Sequence, residues 1–133
     1  MRIVICGSMS AIEKMKSVAA QLEDMGFSPI LPKEEDWSGV PESKIHEFKR
    51  ILSMGHFAEV AHEDTRAIVV INEPKNGVAD YIGANTFAEI ALAFYFGKKI
   101  FLLNNIYDKL ADELLAWGAI PLFGDVRDVR VDL

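Results

Sequence analysis

The chain has 133 residues, half of them apolar, with 20 acidic and 14 basic residues and a formal net charge of -6. This length and composition predict one compact domain over residues 1–133 with a real hydrophobic core. The acidic balance, without any Lys/Arg-rich run, excludes a nucleic acid polymer or an anionic membrane surface as an expected partner. The single cysteine, Cys6, excludes disulfide scaffolds and cysteine-rich zinc sites.

The N-terminal residues lead directly into a predicted strand and lack the features of a signal peptide. No apolar run approaches the length that crosses a membrane. The expected location is therefore the cytoplasm, where Cys6 is reduced.

Apolar runs of strand length alternate with longer segments of helical periodicity. Strands are predicted at residues 2–6, 27–31, 67–71, 100–103 and 119–122. Helices are predicted at about 10–25, 43–61, 86–96 and 107–117. This alternation is typical of βαβ units. The predicted fold is a single-domain α/β structure, flavodoxin-like or Rossmann-like, with a doubly wound, mainly parallel sheet of five strands in the order 2-1-3-4-5.

The apolar spacing also predicts which side of each helix is buried. In the second helix the expected core contacts are Ile45, Phe48, Leu52 and Val60. In the third helix they are Phe87, Ile90, Ala91, Phe94 and Tyr95, at i, i+3, i+4, i+7 and i+8. Glu89 lies off that stripe, on the side shared with Asn85 and Ala93. The segment from Gly124 is predicted to be an edge strand or a frayed end.

The junction before the third helix has two interpretations. Thr86 and Glu89 have the spacing of a capping box, in which Glu89 reaches back to the Thr86 amide. Alternatively, the Glu89 carboxylate, close to a helix N-terminus, acts as a nucleophile or holds hydroxyl groups. With strand order 2-1-3-4-5, ligands bind where the loops after strands one and three meet. Glu89 is then expected to face a crevice shared with Ser8.

Several other kinds of site are excluded or disfavoured. The loop after strand one has no GxGxxG for a dinucleotide, and the chain has no P-loop motif. His46, His56 and His62 are spaced by ten and six residues, which favours solvent-facing or packing roles over metal ligation. Ser8 lacks a nucleophile elbow and fits an anion cradle or a helix cap better.

A carboxylate at a helix N-terminus, with further acidic residues nearby, suits chemistry on a sugar. A glycosyl carbon passes through an oxocarbenium-like transition state that a carboxylate stabilises or attacks. A second group must protonate the departing base. Asp80 and Glu73 are the candidates for that role.

Three segments resemble the nucleoside 2-deoxyribosyltransferase-like superfamily, which includes deoxyribosyltransferases and deoxynucleoside-monophosphate N-glycosidases. They are Ile5-Cys6-Gly7-Ser8-Met9, Asp64 ahead of Ala67–Ile71, and Gly83-x-x-Thr86-x-x-Glu89-Ile90-x-x-Ala93 followed by Gly97-Lys98-Lys99-Ile100. The resemblance implies cleavage or exchange of the N-glycosidic bond of a nucleoside or nucleotide, in a homodimer or larger homo-oligomer, with Glu89 attacking C1′. It implies no metal or organic cofactor.

The resemblance also implies roles for the residues around Glu89. Gly7 and Ser8, with the adjacent Met9, line the sugar and base pocket. Gly83, Asn85 and Thr86 meet the 5′-hydroxyl or 5′-phosphate. Asn72 stands among the substrate-binding positions, where the transferases usually place an aspartate that assists the leaving base. Either Glu73 or Asp80 replaces that aspartate, or the chain is a non-catalytic module that senses a nucleotide-like metabolite.

Overall fold

The computed structural model describes residues 1–131 and contains one five-stranded, all-parallel sheet in the order β2-β1-β3-β4-β5. The strands are β1 Arg2–Gly7, β2 Ser28–Ile30, β3 Thr65–Ile71, β4 Lys99–Leu102 and β5 Ile120–Pro121. The α-helices are α1 Ile12–Asp24, α2 Ile45–Ala61, α3 Ala84–Tyr95 and α4 Ala111–Ala116. The predicted fold class and strand order are confirmed. Within residues 1–131, no helix has the length and apolarity needed to cross a bilayer.

Each face of the sheet carries its own layer of core residues. Side chains of β1 alternate between the layers, so that Ile3 and Ile5 pack towards α1 while Val4 and Cys6 pack towards α2 and α3. The β-branched run of β3 is buried on both faces, as expected for a parallel strand covered by helices.

The segment after Gly124 is neither an edge strand nor a frayed end, so that prediction is wrong for the described residues. It forms a short 3-10 helix, Val126–Asp128, on the α1 face of the sheet. Val126 and Val129 are buried there. Their three-residue spacing fits one face of a 3-10 turn better than the two-residue alternation of a strand.

Helix α2 is held mainly at its C-terminal end. Of its predicted core contacts, Val60 is buried, whereas Ile45 is exposed. Around the end of the helix, the Thr65 hydroxyl donates to the Glu59 carbonyl at 2.8 Å, and the Arg2 guanidinium pairs with the Glu59 carboxylate. The apolar spacing of α2 overstated its burial because the first three turns extend beyond the sheet core.

Helix α3 is rotated relative to the predicted orientation: Ile90 is buried and Phe87 packs against the core as predicted, but the rest of the buried face differs. Its buried residues are Thr86, Glu89, Ile90 and Ala93. Phe94 and Tyr95 are exposed, and Phe94 stacks on Trp117 with ring centroids 5.3 Å apart. The small side chain of Ala93 permits close approach of helix to sheet, whereas the bulky aromatic rings pack outside. Glu89 therefore lies on the buried face.

Candidate active site

The first turn of α3 does not contain the predicted capping box. The N-cap is Gly83, which makes no side-chain cap hydrogen bond, and Thr86 is already the third residue of the helix. The Glu89 Oε1 atom instead accepts a hydrogen bond from Asn85 Nδ2 at 3.3 Å, across one turn. The purely structural interpretation of Glu89 as a cap is therefore wrong, and the predicted proximity of Asn85 to Glu89 is present.

Glu89 belongs to a buried group of three reactive side chains, here called the Cys6–His56–Glu89 cluster. Its carboxylate is 2 % exposed and lies between α3, the end of β1 and α2. His56 Nδ1 is in contact with Glu89 Oε2, although no hydrogen bond of acceptable geometry joins them and Oε2 has no other partner among residues 1–131. The other ring nitrogen of His56 lies 3.2 Å from the Ile5 carbonyl.

His56 is the residue of this cluster that the sequence did not identify. No spacing relates it to Glu89, because the two lie on separate helices that meet only in the folded chain. The spacing of the three histidines predicted a packing or solvent-facing role for His56. The other two, His46 and His62, are exposed. The side chain of His56 is 15 % exposed, so it forms the solvent-side boundary of the cluster.

Burial raises the pKa of the Cys6 thiol well above its usual value, and the nearby Glu89 carboxylate raises it further. We expect Cys6 to stay protonated in the folded protein while it ionises in the unfolded chain above about pH 9. The free energy of unfolding should therefore fall as pH rises from 8 to 10, less steeply in Cys6→Ala. Urea unfolding of both proteins at several pH values measures this difference. Parallel pH dependences would contradict it.

A cavity of about 330 Å³ lies beside the loops that follow β1 and β3; we call it the switch-point cavity. Ser8, Ser10, Glu73, Lys75 and Tyr81 are among the residues that line it. Lys75 Nζ donates to Ser8 Oγ at 3.2 Å, and the Ser8 and Ser10 hydroxyl oxygens are 2.9 Å apart. The predicted loops do meet at the switch point, and they bring hydroxyl groups and an ammonium group together there.

Glu89 is not among the residues that line this cavity. The expectation that Glu89 faces a crevice shared with Ser8 is therefore wrong for the structure as it stands. The physical reason is that α2 covers the carboxylate with His56, while Ser8 points towards the α1 side of the sheet. Met9, also predicted to line the pocket, is exposed and is not a lining residue.

Gly7 occupies a backbone position that only glycine fits. Its φ is +153°, and a β-carbon there would lie 2.9 Å from the end of Met15 and 3.0 Å from the Ile71 carbonyl oxygen. Gly7 therefore has a packing role between β1 and β3, beside any contact with a ligand.

Asn72 ties together the ends of β3 and β4 instead of meeting a substrate. It is fully buried; its Nδ2 donates to the Asn105 carbonyl at 2.7 Å, and its Oδ1 accepts from the Asn104 amide at 2.9 Å. Asn104 Nδ2 returns a bond to the Asn72 carbonyl at 3.1 Å. Both polar atoms of the side chain are thus occupied within the protein, which corrects the predicted substrate contact.

The amide of Asn72 should be essential for this connection. We expect Asn72→Asp to lower the free energy of unfolding by about 2–4 kcal/mol at pH 7, because the new carboxylate would face the Asn105 carbonyl in a buried position. The loss should shrink as pH falls, since a protonated carboxyl group can donate there. Denaturant unfolding measures the effect, with Asn76→Asp in the exposed loop as control. Equal losses in both variants would contradict it.

Asp80 lies in a different place from Glu89. Its φ is +57°, its Oδ1 accepts from the Asn105 amide at 3.1 Å, and it lines a second cavity with Glu73, Asn104 and Phe123. Glu89 contacts Cys6 on β1, and β3 separates β1 from β4. Two strand spacings of about 4.8 Å each therefore separate their positions along the sheet. Glu73 lines both cavities and lies closer to the switch point.

The chain was compared with known proteins. No protein-family model and no curated protein sequence matches it. Among solved structures, the CMP N-glycosidase BcmB of Clostridium botulinum has a similar fold, with a TM-score of 0.56 and 15% sequence identity. The alignment covers 96% of this chain and 93% of that one. This chain thus shares its fold with a nucleotide N-glycosidase, in agreement at that level with the superfamily its sequence resembles.

Proposed function

We propose that the protein cleaves or exchanges the N-glycosidic bond of a nucleoside or nucleoside monophosphate, with Glu89 as the nucleophile. The observation that carries the proposal is the buried Glu89 carboxylate, which has one oxygen held by Asn85 and the other in contact with the His56 ring. A carboxylate is costly to bury, and a purely structural role does not require one at this position. The fold shared with a CMP N-glycosidase supports the same reaction class.

In the proposed reaction, a Glu89 oxygen forms a bond to C1′ as the bond from C1′ to the base nitrogen breaks. The electron pair of the broken bond stays on the base, and an acid protonates the base. Glu73 is the better candidate for that step than Asp80, because it follows β3, the neighbour of β1, whereas Asp80 contacts the loop after β4. Water or a second base then attacks C1′, releasing the sugar product and restoring the carboxylate.

Two polar regions of the protein could bind the substrate. The N-terminal amides of α3, after Gly83, are free to bind a 5′-hydroxyl or 5′-phosphate, with Asn85 and Thr86 beside them. Ser8, Ser10 and Lys75 supply hydroxyl and ammonium donors on the other side of the β1 end. No metal or organic cofactor is needed for this reaction.

Access to Glu89 requires outward movement of α2, which is open to the monomer but opposed in the α2-mediated dimer proposed below. Val60 and Glu59 anchor the C-terminal end of that helix, while His56 contacts Glu89 and the Ile5 carbonyl. Displacement of the turns before Glu59 would carry His56 away from the carboxylate. The contacts of His56 are the ones that such a local opening breaks.

The direct test is incubation of the protein with nucleosides, deoxynucleosides and their 5′-monophosphates, including CMP, followed by chromatography of released base. Parallel reactions with an added acceptor base separate exchange from hydrolysis. We expect base release from at least one member of the panel. If none reacts but a nucleotide raises the melting temperature, the chain is instead a nucleotide-binding or sensing module.

We further propose that the protein assembles as a homodimer through α2. Ile51, Met54, Gly55 and Ala58 are exposed and recur at i, i+3, i+4 and i+7 along one side of the helix. Ile51 and Met54 are 63% and 67% exposed, respectively. Gly55 and Ala58 let a second helix approach closely. A second copy of the chain, which carries the same stripe, is self-complementary under a twofold axis.

The assembly is tested by the substitution Ile51→Glu. We expect it to raise the dimer dissociation constant at least about thirtyfold, because a charge replaces a central apolar contact. Size-exclusion chromatography with light scattering measures the mass over a range of concentrations. Gln21→Glu, with the same change of charge on exposed α1, should leave the dimer intact. A parent protein that is monomeric at high concentration would rule the interface out.

A further inference from the structure

The Cys6–His56–Glu89 cluster brings together three different ligand types in one buried place. One sulfur, one ring nitrogen and one carboxylate oxygen lie within 4.8 Å of one another. Thiolate, imidazole and carboxylate are the protein ligands that Zn²⁺ ordinarily takes, and soft sulfur disfavours Mg²⁺ or Ca²⁺. We propose that this cluster is a binding site for Zn²⁺.

The burial of Glu89 is a second observation that points to a cation. Its Oε2 atom is buried and contacts His56 Nδ1, but no hydrogen bond of acceptable geometry joins Oε2 to any group among residues 1–131. A buried carboxylate is stabilised by a positive partner held in good geometry. A cation bound by Oε2, the imidazole and the thiolate supplies that partner.

The orientation of His56 suits a metal ligand. Its Nε2 faces the Ile5 carbonyl at 3.2 Å, which leaves Nδ1 turned towards the cluster. Histidines that bind metals commonly donate their other ring N–H to a backbone carbonyl, which fixes the ring orientation. His46 and His62 are exposed by comparison.

Zn²⁺ needs more room than the present contact between His56 and Glu89 provides, because two ligand atoms at about 2.0 Å from the ion lie roughly 3.3 Å apart. His56 must therefore move outward, which the sparse anchoring of α2 allows. Three protein ligands leave the fourth position of the ion open to water.

This inference does not depend on the proposed glycosidic activity. A bound ion would occupy the carboxylate of Glu89 and inhibit any reaction that uses it. Binding is therefore measured directly, and its result is independent of whether a nucleotide is cleaved.

The test uses the whole protein treated with a chelator, desalted, and titrated with Zn²⁺ by calorimetry and with Co²⁺ by absorption spectroscopy. We expect one Zn²⁺ per chain, a higher melting temperature with Zn²⁺, and a thiolate-to-cobalt charge-transfer band in the near ultraviolet. Cys6→Ala should abolish the band. Glu89→Gln and His56→Ala should each weaken Zn²⁺ binding more than the roughly 10–100-fold that loss of an outer partner costs.

His62→Ala is the matched control, since His62 is exposed and lies 4.0 Å from the Asp64 carboxylate. It should leave both signals unchanged. Absence of the charge-transfer band in the parent protein would overturn the proposal. So would Zn²⁺ binding that survives Glu89→Gln and His56→Ala, because the ion would then be held at the surface. Glu89→Gln and His56→Ala both keep Cys6, so the proposal can still be tested if Cys6→Ala does not fold.

Discussion

Replacement of Glu89 by glutamine should reduce kcat/KM for base release at least about a thousandfold, if the reaction proceeds as proposed. Glutamine keeps the size of the side chain and can still pair with Asn85, but its amide is a poor nucleophile. The loss corresponds to about 4 kcal/mol of transition-state stabilisation. Chromatography of released base under steady-state conditions gives the ratio of parent to variant.

A covalent intermediate gives a second readout of the same substitution. Acid quenching of the parent protein during turnover should trap an adduct with the mass of the glycosyl group, and Glu89→Gln should show none. Glu47→Gln, on the exposed part of α2, is the control and should match the parent. A Glu89→Gln protein that releases base at the parental rate would remove Glu89 from the mechanism.

Replacement of Gly7 by alanine should lower the free energy of unfolding by about 3 kcal/mol. The added methyl group meets the Ile71 carbonyl oxygen at 3.0 Å, and backbone cannot move aside as a flexible side chain can. The φ of +153° adds strain for any residue with a β-carbon. Equilibrium unfolding in urea, followed by circular dichroism, measures the loss.

Gly39→Ala is the matched control for that experiment. Gly39 lies in the exposed loop before α2, its φ is not in the left-handed region, and a β-carbon there meets no atom within 4 Å. Alanine there should change the free energy of unfolding by less than about 1 kcal/mol. Gly7→Ala should therefore be clearly destabilising and Gly39→Ala should not. A Gly7→Ala protein as stable as the parent would show that β1 and β3 can separate locally without cost.

The sheet and its strand order followed from sequence because their cause is local. A continuous β-branched run such as Ala67–Ile71 is stable only where both faces are covered, and short connections with right-handed crossovers leave few orders. The apolar residues of β1 are likewise buried on both faces of the sheet, in two separate core layers. The sheet could therefore be predicted from apolar runs and their spacing.

The site was predicted only where its contacts are also local. Asn85 and Glu89 are one helical turn apart, so their position on the same side of the helix followed from spacing, and the hydrogen bond joins them there. The contact between His56 and Glu89 joins two helices, and no periodicity encodes it. Asn72 illustrates the same limit, because its role depends on main-chain atoms of the loop after β4. The sequence placed Asn72 at the end of a strand but did not indicate which groups its side chain contacts.

The attachment of α2 by one end has a kinetic consequence. Amide hydrogens in its first turns should exchange with solvent far faster than those of β1 or β3, through openings that leave the sheet intact. If a substrate reaches Glu89 only during such openings, the observed rate constant for substrate binding will reach a plateau at high substrate concentration. The plateau value equals the rate at which α2 opens. In the proposed reaction, turnover would then be limited by movement about the end of the helix near Val60, and a cross-link that holds α2 closed would stop base release while leaving Glu89 intact.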